Sequence, residues 1–295
     1  MRTINFMGYR KLWFGISLTL MAIGLIFMII NGGLNMGIDF VGGTSIHANI
    51  GKTFDVSEIR QIMDKYDPEA TITHAGQNKD QVIVRTKINF DDAKRVEIIK
   101  AFSDKYNIDQ KNISFESIGP TVGKEMATQA LIAVLLAFAG IMIYVSFRFE
   151  WRFGLASVIA LVHDTAMMVA TYAVFQIPVN GTFIAAVLTI IGYSINDTIV
   201  IFDRIRENLK YERGKKTDYG NLVNESVTQT LARSINTSVA TLLTIFALYF
   251  LGVPAIKEFA FPMIVGIISG CYSTIFIASP LWVILRNKFK VGGAR

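Results

Sequence analysis

Cysteine is almost absent from this chain. The one copy, Cys271, lies within an apolar run, so no disulfide framework, zinc-ligand spacing or CxxC pair is available, and the residue reads as a small core side chain. Polar and apolar residues seldom alternate. The hydrophobic residues, 52% of 295, stand instead in long unbroken runs, and the mean hydropathy is +0.43. This excludes a water-soluble globular chain and gives a polytopic α-helical membrane protein. A net charge of +6 and a pI near 9.3 would suit nucleic acid. The basic residues flank the apolar runs, however, where they set orientation against membrane lipid, so nucleic-acid binding is excluded.

Six transmembrane helices are expected. Residues 1–30 hold Arg2, Arg10 and Lys11 followed by an apolar run from 12 to 30. That run exceeds a signal-peptide h-region and no A-x-A-like site follows, so it reads as an uncleaved first span. Residues 31–124 contain no run long enough to span. They read as an α+β domain: strand 44–50, a helix over 55–66 with Val56, Ile59, Ile62 and Met63 at helical spacing and Asp55 as N-cap, strands 70–74 and 81–88 joined at Gly76 and Asn78, a helix over 91–106 carrying Val96, Ile99 and Phe102, and strand 113–118. Strand, helix, strand, strand, helix, strand is the ferredoxin-like order.

Residues 125–285 supply spans at about 127–147, 153–175, 182–202, 234–251 and 259–285, with Pro262 and Pro280 as kinks or ends. The basic segment 204–233, with Arg204, Arg206, Lys210, Arg213, Lys215, Lys216 and Arg233, is long enough for a surface helix pair. The tail 286–295 adds Arg286, Lys288, Lys290 and Arg295, whereas Lys257 alone occupies the opposite side. Both termini are therefore expected in the cytoplasm and the 31–124 domain outside it.

Polar residues inside these spans are the candidate site, because a carboxylate in a membrane helix costs about 2.5 to 3.5 kcal/mol on insertion scales and needs a partner. In the fourth span Asn196 and Asp197 share a stripe with Tyr193, Thr189 and Thr182, and Gly192 and Ala185 would admit a neighbouring helix. The third span carries His163 and Asp164, with Ser157, Ala160 and Thr171 along its length. Arg233 opens a face of the fifth span shared with Asn236, Thr237, Thr241 and Thr244. Burying the three faces together would let Asp197 pair with Arg233, and protonation would break that pair, chemistry suited to proton passage. Ser269, Ser273, Gly266 and Gly270 in the sixth span read as a helix-packing face.

Four stretches resemble one family across nearly the whole chain: GIDFVGGT at 37–44, LVHD at 161–164, GYSINDTIVIFDRIREN at 192–208 and TQTLARSINTSVATLL at 228–243. The chain resembles the SecF family of protein-export membrane subunits, part of the resistance-nodulation-division type transporter superfamily. The resemblance implies a proton-driven, non-enzymatic subunit of a bacterial plasma membrane that pairs with SecD, alongside the SecYEG channel, the SecA motor and a YajC-like accessory protein, and acts on translocating unfolded protein. It implies proton roles for Asp197 and Arg233, and its motifs include Asp39, Gly42, Gly43, Gly192, Asp203 and Arg204. Residues 39–43 read on their own as a turn capping a strand. Rival readings are a small-molecule or lipid transporter half, a passive assembly scaffold, and an intramembrane aspartyl protease using Asp164 and Asp197. The last is disfavoured because Asp197 sits in SIND and not GxGD.

Overall fold

The computed structural model describes residues 3–76, 78–212 and 217–289. The basic residues Arg2, Arg213, Lys215, Lys216, Lys290 and Arg295 lie outside that set. Among the described residues six helices are long and apolar enough to cross a membrane. The first combines a 3-10 turn with α1 (Arg10–Ile30). Next come α5 (Pro120–Arg148), α6 (Trp151–Phe175), α7 (Gly181–Tyr211) and α8 (Tyr219–Leu251). The sixth is built from α9 (Pro254–Ser273), a π turn (Thr274–Ala278) and α10 (Ser279–Lys288). Between the first two spans lie α2 (Ile38–Val41), β1 (Gly43–Asn49), α3 (Val56–Met63), β2 (Thr71–Ala75), β3 (Gln81–Thr86), α4 (Asp92–Tyr106) and β4 (Ile113–Ile118).

The four strands form one antiparallel sheet in the order β2-β3-β1-β4, with Ile46 opposite Val84 on one side and Phe115 on the other. In this ferredoxin-like arrangement β1 and β2 run parallel with β3 inserted between them. Alternate β-strand residues Ile46, Ala48, Val82 and Val84 face Ile59, Ile62 and Met63 of α3 and Ile98 and Phe102 of α4. The expected face of α4 holds in part, with Phe102 buried and Ile99 packed against the core. Val96 is 63% exposed, and the buried row is Ile98, Phe102 and Tyr106, because only a spacing of four keeps all three over the sheet. Asp55 caps α3 as its position suggests, and the Ser57 N–H that it accepts holds its carboxyl below the usual carboxylate range.

The expected surface helix pair over 204–233 is instead a continuation of two spans. α7 runs on to Tyr211 and α8 starts at Tyr219, with Asp218 accepting from Gly220 N and Asn221 N. The reason is an apolar seam beyond the membrane-length run: Ile201, Phe202 and Ile205 pack with Leu222, Val223 and Val227 in the same core as Trp282. Basic side chains ride outside this seam, where Arg204 donates to Glu207 and Gln229. In the sixth span Pro262 lies buried inside α9, and Pro280 sits in the first turn of α10 after the π turn. A proline ring clashes with the carbonyl four residues earlier, and widening the preceding turn relieves that clash.

The sheet is tied to the ends of the spans that lie beside it. Gly37 N donates to Val179 O at 2.7 Å, Val179 N to Asn35 O at 2.8 Å, and Arg85 of β3 pairs with Glu258 of α9 at 2.7 Å. Asp39 Oδ2 accepts from Gly181 N at 2.7 Å, placing a carboxylate at the N-terminus of α7. Gly42 (φ +85°) and Gly43 (φ +146°) turn the chain from α2 into β1, and a β-carbon on Gly42 would lie 2.9 Å from Pro120 N. Asn78 and Lys210 stand exposed at opposite ends of this architecture. Cysteines placed singly at these positions in a Cys271→Ala background should label from opposite sides of a sealed vesicle; labelling of both from one side would contradict the six-span reading.

Candidate functional site

A layer of polar side chains divides the membrane core in two. Along α6 the residues Phe153, Ala156 and Ala160 belong to one apolar cluster and Leu161, Met168 and Tyr172 to another, with His163 and Asp164 near the level where the two meet. On α7 the same division falls between Ile191 and Ile201, where Ser194, Asp197 and Thr198 are buried. On the sixth span it falls between Ile267 and Ile275, where Ser269, Ser273 and Thr274 are buried. Thr198 and Thr274 join their hydroxyls at 2.9 Å at the edge of the π turn. Each helix thus contributes hydroxyls or carboxylates at one level, with apolar packing above and below.

Asp164 is the more enclosed of the two acids, 1% exposed. Its Oδ1 accepts from Ser269 Oγ at 2.7 Å and its Oδ2 from Ser194 Oγ at 2.7 Å and Ser273 Oγ at 2.9 Å. His163 Nδ1 lies 3.1 Å from Oδ1. Hydrogen bonds to a charged group contribute about 1.5 to 3 kcal/mol each, so four donors outweigh the cost of placing this carboxylate in a span. Ser269 and Ser273 therefore do more than pack helices, correcting the expectation for that face. A signal was present: two serines four residues apart share a helix face, and with glycines beside them they bring hydroxyls, not only small volume, to a close contact. Ser17, Ser194, Ser238 and Tyr272 also escaped sequence reasoning, since a lone hydroxyl in a span usually bonds its own helix.

Asp197, 5% exposed, has a thinner shell: Ser238 Oγ of α8 donates to its Oδ2 at 3.1 Å. The expected ion pair with Arg233 is not formed; among the described residues no cation lies within 4 Å of Asp197, and Arg233 is exposed. The stripe expected to point into the bundle faces outward as well. Ala185, Thr189, Gly192 and Asn196 are exposed and nothing approaches Gly192, while Asn236, Thr237 and Thr244 are exposed on α8. Tyr193 Oη joins these two faces by donating to Thr241 Oγ1 at 2.9 Å. Both continue the polar layer to the surface of this chain. Asp164 and Asp197 have separate partners and share no hydrogen bond among the described residues, unlike a protease dyad. Of the remaining motif residues, Asp203 lies 3.8 Å from Arg148, and Arg204 is engaged with Glu207, both at the helix end.

Residues 98–288 match the family defined as protein export membrane protein SecD/SecF, C-terminal. The chain belongs to the SecD/SecF family. It is 38% identical to the protein translocase subunit SecF of Haemophilus influenzae over 93% of this chain and 83% of that protein, and 40% identical to SecF of Desulfurispirillum indicum over 97% and 93%. It is 36% identical to the SecDF subunit of Bacillus subtilis, covering 96% of this chain and 38% of that one. The crystal structure of SecDF from Thermus thermophilus, titled a translocon-associated membrane protein, superposes with a TM-score of 0.82 at 36% identity over 97% of this chain. A super-membrane-facing form of SecDF gives 0.71 over 98%. The chain spans 39% of the length of these SecDF chains.

Within this SecF-type bundle the polar layer depends on one glycine. A β-carbon at Gly270 would lie 2.9 Å from Ser194 Oγ and 3.0 Å from Ser194 Cβ. Gly270→Ala should displace Ser194 from Asp164 and lower thermal stability in detergent by about 1 to 3 kcal/mol, the range for overpacking. An unchanged melt would show that the α7–α9 contact gives way without cost.

Proposed function

We propose that this chain is the SecF-type half of a proton-driven export device. It works beside a SecD-type half in a bacterial plasma membrane with both termini cytoplasmic. Protonation of Asp197 moves the exterior α+β layer, which helps an unfolded secretory protein leave the SecYEG channel after the SecA motor has acted, with a YajC-like protein as accessory. The observation that carries this reading is the polar layer itself, in which two buried carboxylates are held very differently. Asp164 is enclosed by four polar partners, whereas Asp197 has one hydroxyl, that of Ser238, and borders the outward-facing polar surfaces of α7 and α8. One charge crossing 100 mV is worth about 2.3 kcal/mol, comparable with a single charge-assisted hydrogen bond, so a proton step is large enough to exchange one such bond for another.

A partner subunit supplies what this bundle leaves open. Arg233, Asn236, Thr237 and Thr244 of α8 and Thr189, Gly192 and Asn196 of α7 face outward. Exposed to hydrocarbon such faces are costly, and a second set of helices with polar residues covers them. The fused SecDF relatives support a SecD-type half as that cover. Covering α8 encloses Arg233 five residues from Ser238, about 7 Å along the helix, and brings it into the site as the counter-charge. Movement then has a mechanical route outward: α9 carries Ser269 and Ser273 at the polar layer and Glu258 at its outer end, where Arg85 of the sheet is attached.

The test is export of a secretory precursor into vesicles after the motor has stalled, with and without a proton gradient. Asp197→Asn should remove the gradient response while the protein stays inserted and partner-bound, and Asp197→Glu should retain part of it. A full response in Asp197→Asn vesicles would make Asp197 a packing residue.

A further inference from the structure

A continuous hydrogen-bonded chain leads from Asp164 into the first span. Asp164 Oδ1 meets His163 Nδ1 at 3.1 Å, His163 Nε2 meets Ser17 Oγ at 3.0 Å, Ser17 Oγ meets Tyr272 Oη at 3.2 Å, and Tyr272 Oη meets the carbonyl oxygen of Trp13 at 2.7 Å. Three helices are crossed in four steps: α6, α1 and α9. Ser17 and His163 are buried, and the His163 ring stacks on Tyr272 at 5.9 Å between centroids.

The direction of every bond follows from its far end. A main-chain carbonyl only accepts, so Tyr272 spends its single hydroxyl proton on Trp13. Toward Ser17 the phenol oxygen then only accepts, and Ser17 spends its proton there. Toward His163 the Ser17 oxygen in turn only accepts, so Nε2 must carry a proton. At the other ring nitrogen, Asp164 already receives Ser194, Ser269 and Ser273, the environment of an anion, and Nδ1 needs a proton of its own to face it. Both ring nitrogens are protonated in this arrangement, and the imidazolium and carboxylate together are neutral.

We infer that His163 and Asp164 form a one-proton switch whose state is read by the first span. When Nε2 gives up its proton to the aqueous phase, Nδ1 keeps its own proton, hydrogen-bonded to Asp164, and Nε2 becomes an acceptor. Ser17 turns its hydroxyl to Nε2, Tyr272 turns its hydroxyl to Ser17, and the carbonyl of Trp13 loses its side-chain donor. One proton is lost, no covalent bond between heavy atoms changes, and the hydrogen bond from Tyr272 of α9 to the Trp13 carbonyl of α1 exists only in the proton-loaded state, beside ring contacts of Trp13 that persist in both. The groups facing the pair are Ser17 from α1, Ser194 from α7, and Ser269, Tyr272 and Ser273 from α9. Tyr272 is the titratable one, and no lysine, arginine or second acid pairs with His163 or Asp164 among the described residues. Because α1 leads into the exterior sheet, the switch supplies a second route by which proton occupancy reaches that sheet. It deepens the proton-coupled reading, which rests on Asp197.

Two isotope labels in the full-length protein in lipid nanodiscs test this without any export assay. Ring-¹⁵N histidine reports His163, one of three histidines, identified by subtracting the His163→Asn spectrum. Carbonyl-¹³C tryptophan combined with ¹⁵N phenylalanine isolates Trp13, since Trp13-Phe14 is the only such dipeptide. Between about pH 5 and about pH 8, the span over which histidine ordinarily changes charge, Nε2 should pass from protonated to unprotonated while Nδ1 stays protonated, and the Trp13 carbonyl shift should move in step. The two variants should lock the carbonyl in opposite states: Tyr272→Phe at the unbonded shift and Ser17→Ala at the bonded one, at both pH values. A Trp13 shift indifferent to His163, an Nε2 that keeps one state throughout, or a parent-like response in either variant would overturn the switch. Loss of gradient-driven export in Asp197→Asn would stand or fall separately.

Discussion

The bundle depends on surrounding one carboxylate, Asp164, with donors at a depth where water supplies none. Three serines and a histidine from three elements converge on its two oxygens. Removing a donor from a buried charge leaves desolvation uncompensated, so the carboxylate constrains the rotation of α6, α7 and α9 more sharply than apolar packing does. Hydrophobic contact between helices in lipid is non-directional and gains little over lipid contact. A satisfied carboxylate is directional.

Packing follows from that constraint. Hydroxyls reach Asp164 only if α7 and α9 approach closely, and glycines permit it: a β-carbon at Gly266 would overlap Ile190 and one at Gly270 would crowd Ser194. On the other side Gly24 of α1 lies against Ala170 of α6, bringing Ser17 within reach of His163. Apolar clusters close the layer above and below. The consequence for function is an asymmetric pair of acids: one fixed among donors, and one, Asp197, bordering outward-facing polar surfaces of α7 and α8 that a second subunit would cover.

Much of this was legible in the residues. Apolar runs located six spans because their length matches the bilayer, and the order of strands and amphipathic helices gave the sheet between the first two spans because periods of 2 and near 3.6 are distinct. His163, Asp164 and Asp197 stood out because charge in a span is rare. The direction of the stripes was not legible: a polar face on a membrane helix is buried somewhere, but sequence does not say whether its cover is the same chain. Asn196, Gly192 and Arg233 therefore have a sequence pattern that suits a bundle interior although they occupy its surface. The extension of α7 and α8 past the membrane was hidden by their basic side chains, which mark the exposed face while Ile205, Leu222 and Val227 carry the seam. The serines of α9 share a small-residue pattern with helix-packing glycines, which hides that their hydroxyls serve Asp164.

A thermodynamic cycle on the carboxylate and its serines tests the central claim most directly. Unfolding stability in one detergent would be measured for Ser269→Ala and Ser273→Ala, alone and together, in the parent and in Asp164→Asn. If the serines serve the charge of Asp164, each should cost about 1.5 to 3 kcal/mol in the parent and about 0.5 to 1.5 kcal/mol once the charge is gone. Equal costs in the two backgrounds would contradict the account and reduce the polar layer to ordinary helix packing.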